Sequence, residues 1–178
     1  MAGNIGDPLI NYLDIINKDT IIILELSSFH LDDFVDMKLD IALLTNICNN
    51  HLDFYKTKQR YYLSKFKLTN NQNKSDYFIV NLNDRITKKY INHKPYNSKL
   101  IDYQLGFKIN DNILYYYNKK VVNLNYYSLI GEHNLDNLKC VIVILSLLKI
   151  DLDINSLKNF KTLRYHLEEL LINDNIVI

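Results

Sequence analysis

The chain has 178 residues, and 21 Lys+Arg against 20 Asp+Glu leave a formal net charge of +1. Apolar residues make up 48% and charged residues 23%, the balance of an ordinary globular domain. Global disorder, a disulfide-stapled build and a strong polyanion-attracting field are thereby excluded. Asn, Ile, Lys and Tyr supply 79 of the 178 residues, and Arg only 3. That bias follows from AT-rich coding, so enrichment in Asn or Lys carries little functional weight, the tract over 70–75 included. Cys48 and Cys140 lie far apart with no Cys-x-x-Cys, which reads as two buried or idle thiols in a reducing compartment. No basic stretch followed by an apolar run opens the chain, so no signal peptide is read. The apolar run over 140–148 is far short of the ~20 residues a membrane span needs.

In chain order, residues 7–16 carry Leu9, Ile10, Leu13 and Ile16 behind Pro8, which predicts an amphipathic helix. Residues 20–26 (TIIILEL) and 41–47 (IALLTNI) read as strands buried on both faces. A helix is predicted over 56–68, a strand over 77–80, a helix over 84–90 and a short strand over 100–103. Asn110-Asp111-Asn112 and Asn118-Lys119-Lys120 are turn signals that predict antiparallel hairpins within 104–130. Residues 134–148 predict a long helix with Asn134 as its N-cap, and 154–160 a last short helix. The whole reads as α/β, a mostly parallel sheet flanked by helices with a small antiparallel β appendage. The chain opens on a helix-starting turn with no strand before it and closes on Ile176-Val177-Ile178, so both ends are expected to be cut.

Ligands of open parallel sheets gather beyond the carboxyl ends of strands. Glu25 stands there, in ELSSFHL: either a hard-cation ligand or a solvated carboxylate, with Ser27 or Ser28 capping the next helix. His51, in TNICNNHLDFY, occupies the corresponding loop after the second strand. Asn4 lies between Gly3 and Gly6 before a helix, in a segment that is either anion-binding or a plain turn. Lys65 sits in the basic stretch of Lys56, Lys58, Arg60, Lys65 and Lys67, either a solvated face or a phosphate- or RNA-binding one. Capping accounts for Asn134 and leaves Asn137 unexplained. No nucleophile–His–acid set and no zinc-spaced cluster is present.

Taken together, AGNIG, ELSSFHL, LLTNICNNHLD, Tyr61-x-x-x-Lys65 and GEHNLDN resemble the Mur ligase family over essentially the whole chain, and the ELSSF form resembles its D-glutamate-adding branch. The resemblance implies the central, ATP-binding domain of an ADP-forming, cytoplasmic amide ligase of peptidoglycan synthesis. Its substrates would be UDP-N-acetylmuramoyl-L-alanine and D-glutamate, joined through an acyl phosphate with ATP and Mg²⁺. By motif, Asn4 and Ser27 would contact substrate, Glu25 and His51 would hold Mg²⁺, and Lys65 would be the lysine carbamylated by CO₂. Asn134, Asn137 and His166 would stand at the nucleotide. Residues 1–168 would be a partial central domain lacking its first strand and phosphate loop, and 169–178 the start of a missing C-terminal domain. An N-terminal domain would be missing too, and neither nucleic acid nor membrane is implied as a partner.

The departures are specific. His30 stands where the family usually has Gln, Asn50 where it has an acidic residue, and Phe54 where it has Arg. Near the end, Leu163-Arg164-Tyr165-His166 replaces Leu-Pro-His-Arg, so either His166 or Arg164 would take the place of the nucleotide-contacting Arg. No Gly-rich loop ending in Gly-Lys-Ser/Thr occurs in the chain, so ATP turnover by the chain alone is not expected. The alternatives are a decayed, non-catalytic relic and a phosphate- or nucleic-acid-binding module. An unpaired sheet edge and marginal solubility are expected as well.

Overall fold

The computed structural model describes residues 2–3, 7–33, 35–48, 52–93, 96–129, 131–160, 170–172 and 175–177. The chain divides into two compact units, residues 1–78 with 84–100 and residues 79–83 with 101–178.

In the first unit, β1 (Ala2–Gly3) pairs in parallel with β2 (Leu24–Glu25). A short strand thus precedes the first helical turn, where none was expected. The helix predicted over 7–16 is a 3-10 helix, Leu9–Ile15, with no side-chain cap and no buried residue. Seven residues without a cap or a core contact do not sustain an α-helix, and the tighter turn is the usual form of such short pieces. The strand predicted over 20–26 narrows to the two residues of β2, and Ile21, Ile22 and Ile23 are exposed rather than buried on both faces. Their apolarity anticipates neighbours that the described residues do not supply.

After α1 (Ser28–Asp33), β3 (Ile41–Leu44) alternates half-buried with buried residues, so Ala42 and Leu44 face the core and the expectation of two buried faces is corrected. Next come α2 (Leu52–Tyr55) and α3 (Lys58–Lys65), the latter capped by Thr57, whose side chain accepts the Arg60 N–H. A 3-10 turn, Phe66–Thr69, completes the helical stretch predicted over 56–68. β4 (Tyr77–Val80), α4 (Arg85–Tyr90) and β5 (Lys99–Asp102) follow, α4 being capped by Asp84, which accepts the Thr87 N–H at 2.7 Å. The three strands form a sheet of order β3-β4-β5. Lys99 N–H donates to Asp76 O and Tyr103 N–H to Val80 O, a constant sequence offset that marks β4 and β5 as parallel.

The tract over 70–76 is structural. Asn71 donates to the carbonyls of Val35 and Met37, and buried Gln72 to those of Leu39 and Tyr77. Asp76 accepts from Asn73 N–H and from Lys38, and this satisfies a backbone that carries no regular ladder. An aromatic chain runs through the same unit. Phe29 stacks on Tyr55, Tyr55 meets Tyr61, Tyr61 meets Tyr62, and Tyr62 meets Tyr90 edge-on.

The second unit holds the antiparallel sheet β6 (Phe107–Asn110), β7 (Ile113–Tyr116) and β8 (Lys119–Asn123). Two-residue turns at Asp111-Asn112 and Tyr117-Asn118, with positive φ at all four positions, join the strands. The long helix α5 (Glu132–Leu148) lays Leu138 and Ile142 on Leu114 and Val122 to close this unit's core. Its N-cap is Gly131, at φ 99°, rather than Asn134. The helix ends with Lys149 in the left-handed region and Ile150 N–H bonded back to Leu145 O. α6 (Ile154–Asn159), capped by Asp153, and an antiparallel pair, β9 (Leu170–Ile172) with β10 (Asn175–Val177), complete the described elements. The expected fold class holds, with its parallel strands in two sheets rather than one.

Candidate functional site

Parallel pairing of β1 and β2 aligns Gly3 with Glu25 and sends both carboxyl ends to one edge. The approach is close enough that a Cβ on Gly3 would lie 2.3 Å from the Glu25 carbonyl oxygen, and Gly3 also holds φ at 117°, so only glycine serves there. Glu25 is half-buried at that edge. Two residues on, Ser27 caps α1: its Oγ accepts the His30 N–H at 3.3 Å, and its carbonyl accepts the Leu31 N–H. Ser28 is buried, and its hydroxyl has no hydrogen-bond partner among the described residues.

Lys65 occupies the last turn of α3, half-buried, with its ammonium 5.7 Å from the Tyr61 ring centroid. It makes no hydrogen bond or ion pair among the described residues. Burial pulls its pKa below the usual lysine range, partly opposed by the nearby Cys48 and Glu25. Glu25, Cys48 and Lys65 therefore share one electrostatic environment. Cys48, four residues after β3, is exposed rather than buried. Cys140 fits the idle reading, its thiol pushed up to about 12 by burial, with the Asp136 charge adding to it.

The basic stretch is not one face. Lys67 is tied to Asp32 at 2.5 Å, and Asp32 also accepts the Tyr55 hydroxyl at 2.8 Å. Lys56, Lys58 and Arg60 are exposed, and Lys65 is withdrawn. Phe54 packs edge-on against Phe29, with ring centroids 4.8 Å apart. Asp32, Phe54, Tyr55, Arg60, Leu63, Ser64 and Lys67 line an open groove of about 600 Å³.

In the second unit, Asn134 lies in the first turn of α5, half-buried, its carbonyl accepting the Tyr127 hydroxyl at 2.6 Å, and Asn137 is exposed one turn on. Asn4, His51 and His166, with Arg164, lie outside the described residues. Among the described residues, no three His, Cys, Asp or Glu side chains stand close enough to hold a metal ion, and no helix is long and apolar enough to cross a membrane. Of the candidate residues described, the Glu25 carboxylate is the one that offers oxygen of the kind a hard cation takes.

The family profile of the Mur ligase middle domain matches residues 11–145. The UDP-N-acetylmuramoylalanine–D-glutamate ligase of Clostridium tetani is 32% identical over 94% of this chain and 38% of its own length. That of Oenococcus oeni is 32% identical over 78% of this chain and 32% of its own length. The chain thus spans 32% to 38% of the length of these relatives. Among solved structures, a MurF ligase of Thermotoga maritima in complex with ADP is similar at a TM-score of 0.50 and 17% identity, over 75% of this chain and 33% of that one. The UDP-N-acetylmuramate:L-alanyl-gamma-D-glutamyl-meso-diaminopimelate ligase of Neisseria meningitides is similar at 0.53 and 16%, over 69% and 40%.

Proposed function

The chain belongs to the Mur ligase family through its middle domain, and we propose on that premise that it is the central-domain portion of the ligase branch that adds D-glutamate to UDP-N-acetylmuramoyl-L-alanine. Residues 1–168 would belong to that domain and 169–178 to the start of the next. The remaining domains would come from a longer product of which this chain is a part, or from neighbouring chains. The reaction would be cytoplasmic and ADP-forming.

The observation that carries the reading is Lys65. An amine acts as a nucleophile toward CO₂ only when neutral, and burial beside Tyr61 shifts Lys65 in that direction. The ammonium would lose one proton to water, the Nζ lone pair would then bond to the carbon of CO₂ as a C=O π pair moves onto oxygen, and a second proton would leave to water, so that a carbamate anion replaces the cation in the environment shared with Glu25. Glu25, the modified Lys65 and His51 would then hold Mg²⁺, which when bound offsets the negative charge of phosphate and carboxylate groups brought together. Asn4 and Ser27 would orient the UDP-sugar substrate, and Asn134, Asn137 and His166 or Arg164 the nucleotide. The sequence offers no Gly-Lys-Ser/Thr turn to cradle ATP phosphates, so the chain by itself is proposed not to turn over ATP.

The test is ¹³C NMR of the chain in ¹³C-bicarbonate, with Lys65→Arg alongside. A carbamate resonance lost in the variant is the expected result, and its absence at every bicarbonate concentration would sink the reading. One observation favours a second reading, a decayed relic. Phe54, where the resemblance leads one to expect Arg, is 63% exposed with its ring edge-on to Phe29 and offers no charge. Mg²⁺-dependent strengthening of the carbamate signal would argue against it.

A further inference from the structure

Three side chains that the proposed chemistry leaves unused, Asp32, Tyr55 and Lys67, form one cluster. Asp32 accepts from Lys67 Nζ through Oδ1 at 2.5 Å and from the Tyr55 hydroxyl through Oδ2 at 2.8 Å, so each carboxylate oxygen has its own partner. An isolated surface ion pair contributes little, but a carboxylate with two charge-assisted partners fixes the geometry of both. Tyr55 is held at a second point as well. Phe29, three residues before Asp32 on the same face of α1, stacks on the Tyr55 ring with centroids 5.8 Å apart. The Tyr55 ring in turn meets Tyr61 at 5.5 Å, and the Lys65 ammonium lies over the Tyr61 ring, 5.7 Å from its centroid. Tyr55 and Tyr61 are both buried, so a shift of one ring displaces the other. Lys67 lies two residues beyond Lys65, in the 3-10 turn that continues α3. Asp32 therefore reaches Lys65 by two routes, the ring pair and the backbone.

We propose that Asp32 is a positioning residue for Lys65, fixing its Nζ over the Tyr61 ring through Tyr55 and Lys67. This rests on Lys65 being the reactive amine proposed above, and the experiment separates the two. A contact that only stabilised the fold would lower Tm and leave the surroundings of Lys65 in the folded chain as they were. A positioning contact changes those surroundings while the fold persists.

The test is ¹H–¹³C correlation of the full chain in CO₂-free buffer, with the Lys65 ε-methylene assigned by its loss in Lys65→Arg. Held over an aromatic face, that methylene should resonate upfield of an exposed lysine's. Asp32→Ala and Tyr55→Phe, each with an unchanged circular dichroism spectrum, should move it toward the exposed position. In ¹³C-bicarbonate the same variants should lower the carbamate fraction about fivefold, the factor that corresponds to one ordinary hydrogen bond. Asp32→Glu, which keeps both acceptor oxygens, should restore most of each signal. Folded variants whose Lys65 resonance stays where it is in the unmutated chain overturn the proposal. If Asp32→Ala does not fold, Tyr55→Phe, which removes one oxygen and keeps both rings, decides alone. Absence of carbamate in every protein, the unmutated one included, sinks the reading of Lys65 as the reactive amine, while the methylene resonance still decides the positioning.

Discussion

Lys65 is the residue at which stability and proposed chemistry pull apart. A half-buried ammonium with no carboxylate bonded to it among the described residues is held at a cost, which is why its pKa lies below the usual range. The linkage has a definite sign: between the folded and unfolded pKa values the unfolded chain binds more protons, so stability rises with pH across that window. Lys65→Met should therefore raise Tm at neutral pH in CO₂-free buffer. The gain should vanish above about pH 10.5, where the unfolded lysine is neutral too. A Tm lowered at neutral pH would show instead that the ammonium is satisfied. The two thiols provide a contrast in reactivity. At about pH 8 iodoacetamide should alkylate exposed Cys48 while Cys140, its thiol pushed up to about 12, reacts only in denaturant. Peptide mass mapping reads the difference, and equal labelling in the folded chain would contradict the burial of Cys140.

At the scale of elements, the closest constraint is between β1 and β2. Gly3→Ala would drive a Cβ against the Glu25 carbonyl and impose an L side chain on a φ of 117°. It should cost about 2 kcal/mol or more. Backbone shifts should concentrate around residues 23–27 and leave α5 unmoved. Shifts spread evenly over the chain would mean that the strand pair is not the element strained. What the sequence revealed and what it hid follow from the range of the interactions. Helix α4 and the hairpin turn at Asp111-Asn112 are encoded locally, by a cap and by residues tolerant of positive φ, and both are legible. The Asn134 cap failed because Gly131 enters the helix three residues earlier, on a backbone conformation that side-chain preference does not register. Burial of residues 20–26 failed because an apolar run reports what a strand can pack against, not what is present. At the site, Glu25 and Lys65 were legible as motif residues. Their common environment with Cys48 arises from β3 and α3, about twenty to forty positions away in sequence, and no local pattern carries it.

For the whole molecule, the decisive quantity is the apolar surface left in water. Ile10 is 72% exposed, Ile15 71% and Ile23 62%, with Leu13, Ile21 and Ile22 also exposed in the same unit. Leu9, Ile15, Ile16 and Ile21–Ile23 line a groove of about 310 Å³ alongside Ala2, Tyr12 and Thr20. Isolated exposed apolar residues are ordinary, but a contiguous set drives association at roughly 25 cal/mol for each Å² it removes from water. A net charge of +1 provides little repulsion to oppose it. The chain should therefore self-associate at micromolar concentration and bind an apolar dye such as ANS while folded. Replacing Ile10 and Ile23 together with Lys should leave the circular dichroism spectrum unchanged, lower the sedimentation-average mass and reduce ANS fluorescence several-fold. These two side chains are mostly in solvent already, so the substitution removes association energy without removing core. If the double variant associates as strongly as the original, the driving surface lies elsewhere. If it unfolds, the isoleucines contribute packing that their exposure does not reveal.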